Sequence, residues 1–212
     1  MRFRFDLPAR IPLFPLSGAV LMPRARIPLH VFEPRYLQML EDALKTDHRL
    51  IGLIQPEGAE ANGGLASIGC AGRVVAFSET DDGRQMISLL AVSRFRLTEV
   101  QEGFTPYLMA EVDWSSFARD MKGAESDPGM DRDTLFPLLR RYMDAHELST
   151  DWDAASEAQD EALINSLSMV LPFSPGDRQA LLESPTLSDR RELLQGLIEF
   201  ALHGGDNEER LQ

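Results

Sequence analysis

The hydrophobic period changes partway along the chain, and no other feature restricts the fold as much. Residues 84–92 place Met86, Ser88, Leu90 and Val92 on one side and Ile87, Leu89 and Ala91 on the other, the two-residue period of a strand. Leu135, Leu138, Leu139, Tyr142, Met143 and His146 instead recur at three- and four-residue steps, a helical stripe. Residues 119–133 (RDMKGAESDPGMDRD) lie between, polar and interrupted by Gly and Pro, and read as a linker. A strand-rich half followed by a helical half is an α+β arrangement.

Prolines punctuate the first half. Residues 11–16 (IPLFPL) are apolar with Pro12 and Pro15, which a helix does not tolerate, so they read as a sheet-edge strand. Residues 20–22 and 27–31 follow as short extended segments. Pro34 then suits a first helical turn, and Tyr36, Leu37, Leu40, Ala43 and Leu44 carry a helix over about 34–46. Further strands are expected at 50–54, 67–79, 84–92, 95–100 and 107–114, with Asp81-Asp82-Gly83 as a hairpin tip. Closely spaced strands with turn signals point to a β-barrel over residues 1–118.

Beyond the linker, residues 134–204 read as a helical subdomain. A second stripe runs from Ala158 to Val170 and ends at Pro172. Ser174-Pro175-Gly176-Asp177 is a start signal, with Ser174 as cap and Asp177 answering it. The last helix is expected from about Ser188 to Leu202, with Gly204-Gly205 ending it and residues 205–212 forming an acidic tail.

The net charge of −13 is unevenly spread: +3 over residues 1–50, −4 over 51–119 and −12 over 120–212. An acidic body repels polyanions, so nucleic acid is not expected as a partner of the helical half. Hydrophobic residues make up 43% of the 212, which excludes disorder throughout. The single cysteine, Cys70, excludes an internal disulfide and fits a reducing compartment. Arg2 and Arg4 ahead of residues 11–22 imitate a secretion signal, but Asp6, Arg10, Pro12 and Pro15 interrupt it. No run of 18 apolar residues exists, so no membrane span and a cytoplasmic protein are expected.

Catalytic patterns are missing. There is no phosphate-cradling G-x-x-x-x-G-K-[ST], no G-x-S-x-G, no C-x-x-C and no H-E-x-x-H. His30 reads as a satisfied structural imidazole, and His48 and His203 as helix-end residues. Cys70 reads as a small buried thiol, and Gly69-Cys70-Ala71-Gly72 as a bulge or tight corner. No catalytic residue, cofactor or metal is expected.

The residues also carry a resemblance. Ile11-Pro12-Leu13-Phe14-Pro15-Leu16, Met22-Pro23, and Ile27-Pro28-Leu29-His30-Val31-Phe32-Glu33-Pro34-Arg35-Tyr36 resemble the opening of the Lon protease N-terminal domain, in the form found in stand-alone Lon-domain proteins. Ile68 to Gly72, Asp82-Gly83 and Val92-Ser93-Arg94-Phe95-Arg96 resemble its later strands, with Ser93 where Gly is usual. Residues 172–183 (PFSPGDRQALLE) resemble its helical part, with Arg178 replacing Lys. The resemblance covers about residues 8 to 202. It implies a PUA-like β-barrel subdomain with one helix, followed by a C-terminal α-helical bundle. It also implies substrate recognition without the ATPase and peptidase domains.

On this reading the chain is a non-catalytic module that holds unfolded or exposed peptide segments of client proteins, or a partner protein, between barrel and bundle. Met22, Phe32, Arg35, Tyr36, Phe77, Phe104 and Met109 are the partner-binding candidates, because flexible and aromatic side chains suit adaptable peptide contact. Two alternatives are an adaptor docking through its acidic helical half and an RNA-binding PUA-like domain.

Overall fold

The computed structural model describes residues 7–57, 64–79, 84–101, 103 and 105–209. The hairpin tip Asp81-Asp82-Gly83 and the candidate Phe104 lie outside the described residues. The chain forms two compact units. The first runs to Gly123 and takes back Phe173–Leu182; the second comprises Ala124–Pro172 and the chain from Glu183.

The first unit holds β1 (Arg10–Pro15), β2 (Arg26–Val31), helix α1 (Pro34–Leu44), β3 (Leu50–Ile54), β4 (Ile68–Glu79), β5 (Gln85–Gln101) and β6 (Met109–Asp113). They make one mixed six-stranded sheet in the order β2-β5-β4-β3-β1-β6, and β6 also pairs with β5. The hydrogen bonding of five strands therefore returns to its start. The 17-residue β5 makes this possible. Its first part pairs with β2, from Val31 opposite Gln85 to Arg26 opposite Leu90. Its last part pairs with β6, from Arg96 opposite Asp113 to Gln101 opposite Met109. The two strands expected at 84–92 and 95–100 are thus one, and the polar Ser93 and Arg94 between them are buried.

The prolines of β1 do not mark an edge. This strand lies inside the sheet, parallel to β3 and antiparallel to β6. Its pairing is staggered: residues 10–12 face β6 and residues 13–15 face β3. The Leu13 N–H donates to the Leu108 carbonyl and the Leu16 N–H to the Ile54 carbonyl. By strand alternation, Pro12 would have pointed its N–H toward β3 before that pairing begins, and Pro15 toward β6 after that pairing ends. Each proline falls where no ladder bond is lost. Residues 20–22 form no strand; Val20, Leu21 and Met22 go into the core as irregular chain.

Ile11, Leu13, Leu50, Ile54, Phe95 and Val112 belong to one core cluster, with Trp114 packing edge-on to Phe95 at 5.9 Å. Gly69 is required there. A methyl group on it would lie 2.5 Å from the Phe95 ring and 2.6 Å from the Leu53 carbonyl. The expected irregularity in this run is a register shift between Ala71 and Gly72.

The remaining helices are α2 (Arg132–Ala145), α3 (Trp152–Glu157), α4 (Asp160–Val170), α5 (Pro175–Glu183) and α6 (Leu187–Glu209). Ser174 and Asp177 cap α5 as expected: the Asp177 N–H donates to Ser174 Oγ, which donates to Asp177 Oδ2 at 2.6 Å. Asp151 caps α3 by accepting from the Ala154 N–H. Helix α6 continues through Gly204-Gly205 rather than stopping there. Pro137 lies beyond the first turn of α2, inside the helix. In the second unit α6 packs against α2 and α4. Asp127 ties α6 to the chain before α2, accepting from Arg191 Nε at 2.5 Å, Ser188 Oγ at 2.8 Å and the Gly129 N–H. Burial alone would raise the Asp127 pKa, but these hydrogen bonds outweigh it and hold the carboxyl below its usual range. Residues 119–133, expected as a linker, hold the boundary between the two units after Gly123, and bury the side chains of Asp120 and Asp127.

Segment 173–182, expected within the helical subdomain, folds with the sheet. Gln55, 4% exposed, donates to the Pro175 carbonyl and to Gln179, which itself donates to the Ile68 carbonyl. Arg178 donates to the Gly18 carbonyl. Arg94 makes the deepest connection. Its Nε and Nη2 donate to the two Asp120 oxygens at 2.9 and 3.0 Å, and its Nη1 donates to the Leu182 carbonyl at 2.9 Å. Removing one partner of a buried pair strands the other charge. Asp120→Ala is expected to destabilise the protein by about 3–5 kcal/mol in urea denaturation, and the joint replacement of Arg94 by Met and Asp120 by Leu by far less.

Candidate functional site

The start of α1 builds one wall of a groove in the first unit. Pro34 opens the helix with its φ already set, so Arg35 and Tyr36 fall in the first turn. The Tyr36 ring packs on Phe14 at 4.4 Å. The Arg35 guanidinium lies over the Tyr36 ring, 4.5 Å from its centroid, and pairs with Glu33 at 2.8 Å. Beside them is a pocket of about 220 Å³, lined by Pro15, Arg35, Tyr36, Gly103 and Thr105 to Leu108.

A second, more apolar pocket of about 140 Å³ lies along the same helix, lined by Pro8, Pro12, Ala43, Leu50, Met109 and others. Among the described residues Tyr107 alone lines both. Its hydroxyl donates to Asp42 Oδ2 at 2.8 Å, across 65 residues of sequence. Asp42 is held in turn by Gln38, which donates to its other oxygen at 3.0 Å. Burial raises the Tyr107 pKa first, and the hydrogen bond to Asp42 and its charge push it further, up to about 12. Tyr36 is raised as well, chiefly by burial. Tyr107 therefore stays a neutral donor at physiological pH.

The structure brings three of the expected contact residues, Arg35, Tyr36 and Met109, to this groove. Of the others among the described residues, Met22, Phe32 and Phe77 lie elsewhere. Met22 is fully buried and offers no surface. Tyr36 is buried, with 7% of its surface exposed. Phe32, 62% exposed, follows β2, and Phe77, 47% exposed, sits on β4 opposite Ile87. Tyr107 and Asp42 were not singled out by sequence. Their one sequence signal was that Tyr107 opens the last expected strand.

Little in the groove favours bond chemistry. Asp42, His48 and Tyr107 all line the smaller pocket, but Asp42 is occupied by Tyr107 and Gln38. Cys70 is buried within β4. His30 is no satisfied structural imidazole: it is exposed on β2 opposite Met86, without a side-chain hydrogen bond among the described residues. His203 lies within α6 and contacts the Glu199 carbonyl, not at a helix end. Among the described residues no group of three or more His, Cys, Asp or Glu is placed to hold a metal ion. None of the described helices is long and apolar enough to cross a membrane.

Residues 10–199 match the family described as the ATP-dependent protease La (LON) substrate-binding domain. The chain belongs to this family. Lon protease 2 of Sorangium cellulosum is 26% identical over 204 residues, which cover 89% of this chain and 24% of that protein. Lon protease of Xanthomonas oryzae is 25% identical over 211 residues, again 24% of its length. The LON domain here thus spans about a quarter of these relatives. Its fold matches a Lon N-terminal domain protein from Xanthomonas campestris, with TM-score 0.61, 26% identity and coverage of 88% of this chain and 97% of that one. It also matches the N-terminal domain of Mycobacterium avium complex Lon protease, with TM-score 0.64, 14% identity and coverage of 90% and 98%. No ATPase or peptidase domain is detected in the chain.

The Tyr107–Asp42 contact of this LON domain gives a direct test. A folded-state pKa above the ordinary tyrosine value of about 10 stabilises the fold below that pH. That contribution is lost as pH rises through about 12. In ultraviolet absorbance titration, the step removed by Tyr107→Phe is expected at about 12. Asp42→Asn is expected to move that step downward, because it removes the neighbouring negative charge.

Proposed function

We propose that this LON domain is a non-catalytic binding module that holds exposed apolar peptide segments of client proteins in the groove along α1. The observation that carries the reading is the pair of pockets joined at Tyr107. They offer apolar walls from Pro15, Pro12 and Met109, with the neutral Tyr107 and the Arg35 guanidinium as fixed polar groups. A mostly apolar cleft with few placed polar groups suits ligand binding. A cytoplasmic location belongs to the same proposal and is supported by the lone, buried Cys70.

A second reading is an adaptor that docks one partner through its acidic half. It is favoured by the −12 charge of residues 120–212 and by the exposure of Asp151, Asp153 and Glu157 around α3. Ionic strength separates the two readings. Docking through charge weakens steeply with salt, whereas apolar capture does not.

The experiment is a binding titration with a reduced, permanently unfolded client and its native form, at low and high salt. Preference for the unfolded form, insensitive to salt, is expected. Thr105→Trp, at an exposed position on the groove, is expected to weaken it by about tenfold. Equal, negligible binding of both forms, or unchanged binding by the variant, would sink the groove reading.

A further inference from the structure

In the second unit, two arginines on α2 line a pocket of about 340 Å³, but only one of them is occupied. Arg132 spends its donors on Asp160 at 2.6 Å and on the carbonyls of Ser156 and Ala158 at 2.7 and 2.5 Å. Arg140 spends none: among the described residues it makes no hydrogen bond and no ion pair. Asp144 stands four residues on, a spacing that pairs opposite charges on a helix. Arg140 turns instead onto Trp152, its guanidinium 4.0 Å from the ring centroid. The indole face attracts a cation and leaves the guanidinium edge, with its N–H donors, unspent. Phe136 braces Trp152 at 6.2 Å between centroids and walls the pocket together with Pro137.

The charge around this pocket selects the occupant. Asp133 lines it, and residues 120–212 together carry a net charge of −12. Polyanions and acidic runs are repelled over that distance. A ligand with one negative charge beside an apolar group pairs with Arg140 at a smaller penalty, because the repulsion scales with the ligand's charge. We propose that this pocket binds the carboxyl-terminal residue of a protein chain, with Arg140 donating to the terminal carboxylate and Phe136 and Pro137 taking its apolar side chain. Planar guanidinium donors match the two carboxylate oxygens. The proposal is independent of the α1 groove, which belongs to the first unit.

The test uses the full chain and fluorescence anisotropy. The probe is a fluorescein-labelled ten-residue peptide of Gly and Ser ending in Ala-Leu-Phe with a free carboxylate. Its controls are the same peptide with a terminal amide and an amidated one with an internal Asp. The free carboxylate is expected to bind about tenfold more tightly than the amide. Arg140→Gln, at an exposed position, is expected to bring the two to within about twofold. Arg141→Gln and Thr105→Trp are expected to leave the preference unchanged, with circular dichroism checking the fold of each variant. Four results overturn the proposal: equal binding of acid and amide, a preference that survives Arg140→Gln, no binding at about 1 mM peptide, or tighter binding of the internal-Asp peptide or of a single-stranded RNA.

Discussion

Arg94 and Asp120 form the interaction on which the first unit is assembled. Arg94 is 2% exposed and the Asp120 carboxylate is wholly buried. The carboxylate accepts two guanidinium bonds and also the Arg94 backbone N–H at 2.9 Å. The Phe117 ring lies 4.7 Å from the same guanidinium, and the Leu182 carbonyl takes a further donor. Three separate stretches meet at one side chain: the middle of β5, the turn after Phe117 and the end of α5. Desolvating two charges is expensive, so such a pair contributes little net stability compared with an apolar replacement. Its value lies in geometry. Few arrangements satisfy a buried guanidinium and carboxylate together, and each one excluded leaves fewer ways for residues 173–182 to lie on the sheet.

The same side-chain type is used in three ways. Arg94 is sealed between a ring and a carboxylate, and serves architecture. Arg35 lies over Tyr36 but is paired with Glu33 at the surface, so its charge is already half spent at the groove. Arg140 lies over Trp152 with no carboxylate partner among the described residues. What differs is the neighbouring acid, and with it the amount of donor capacity left for a ligand. In a chain of net charge −13, an arginine that avoids the nearby acids keeps a local property opposite to the average.

Much of the fold could be read from local pattern. Helix α1, strands β3 and β4, the Ser174–Asp177 cap and the buried face of Ile87, Leu89 and Ala91 follow from spacing and cap chemistry over a few residues. The errors share a cause. The prolines of β1 were read as an edge because a lost N–H is costly inside a sheet. The staggered partners that remove this cost come from strands about 40 and about 100 residues away. The strands expected at 84–92 and 95–100 leave out Ser93 and Arg94, and the buried partner of Arg94, Asp120, lies outside any local window. Of the α1 groove, Arg35, Tyr36 and Met109 were legible as large, adaptable side chains. Tyr107 and Asp42 were not, because their role consists of one hydrogen bond spanning the chain.

The sequence by itself determined the two periods, the order of strands and helices, the acidic second half and membership of the LON domain family. These are properties of composition and of neighbours along the chain, and they survive without knowledge of any long-range contact. Only the tertiary structure decided that segment 173–182 belongs with the sheet, that Asp120 and Asp127 are buried, and which candidate side chains remain exposed. The physical reason is the same in each case. Burial and charge pairing depend on partners brought together from distant sequence, and a side chain such as Met22 or Arg140 carries no local mark of whether a partner will arrive.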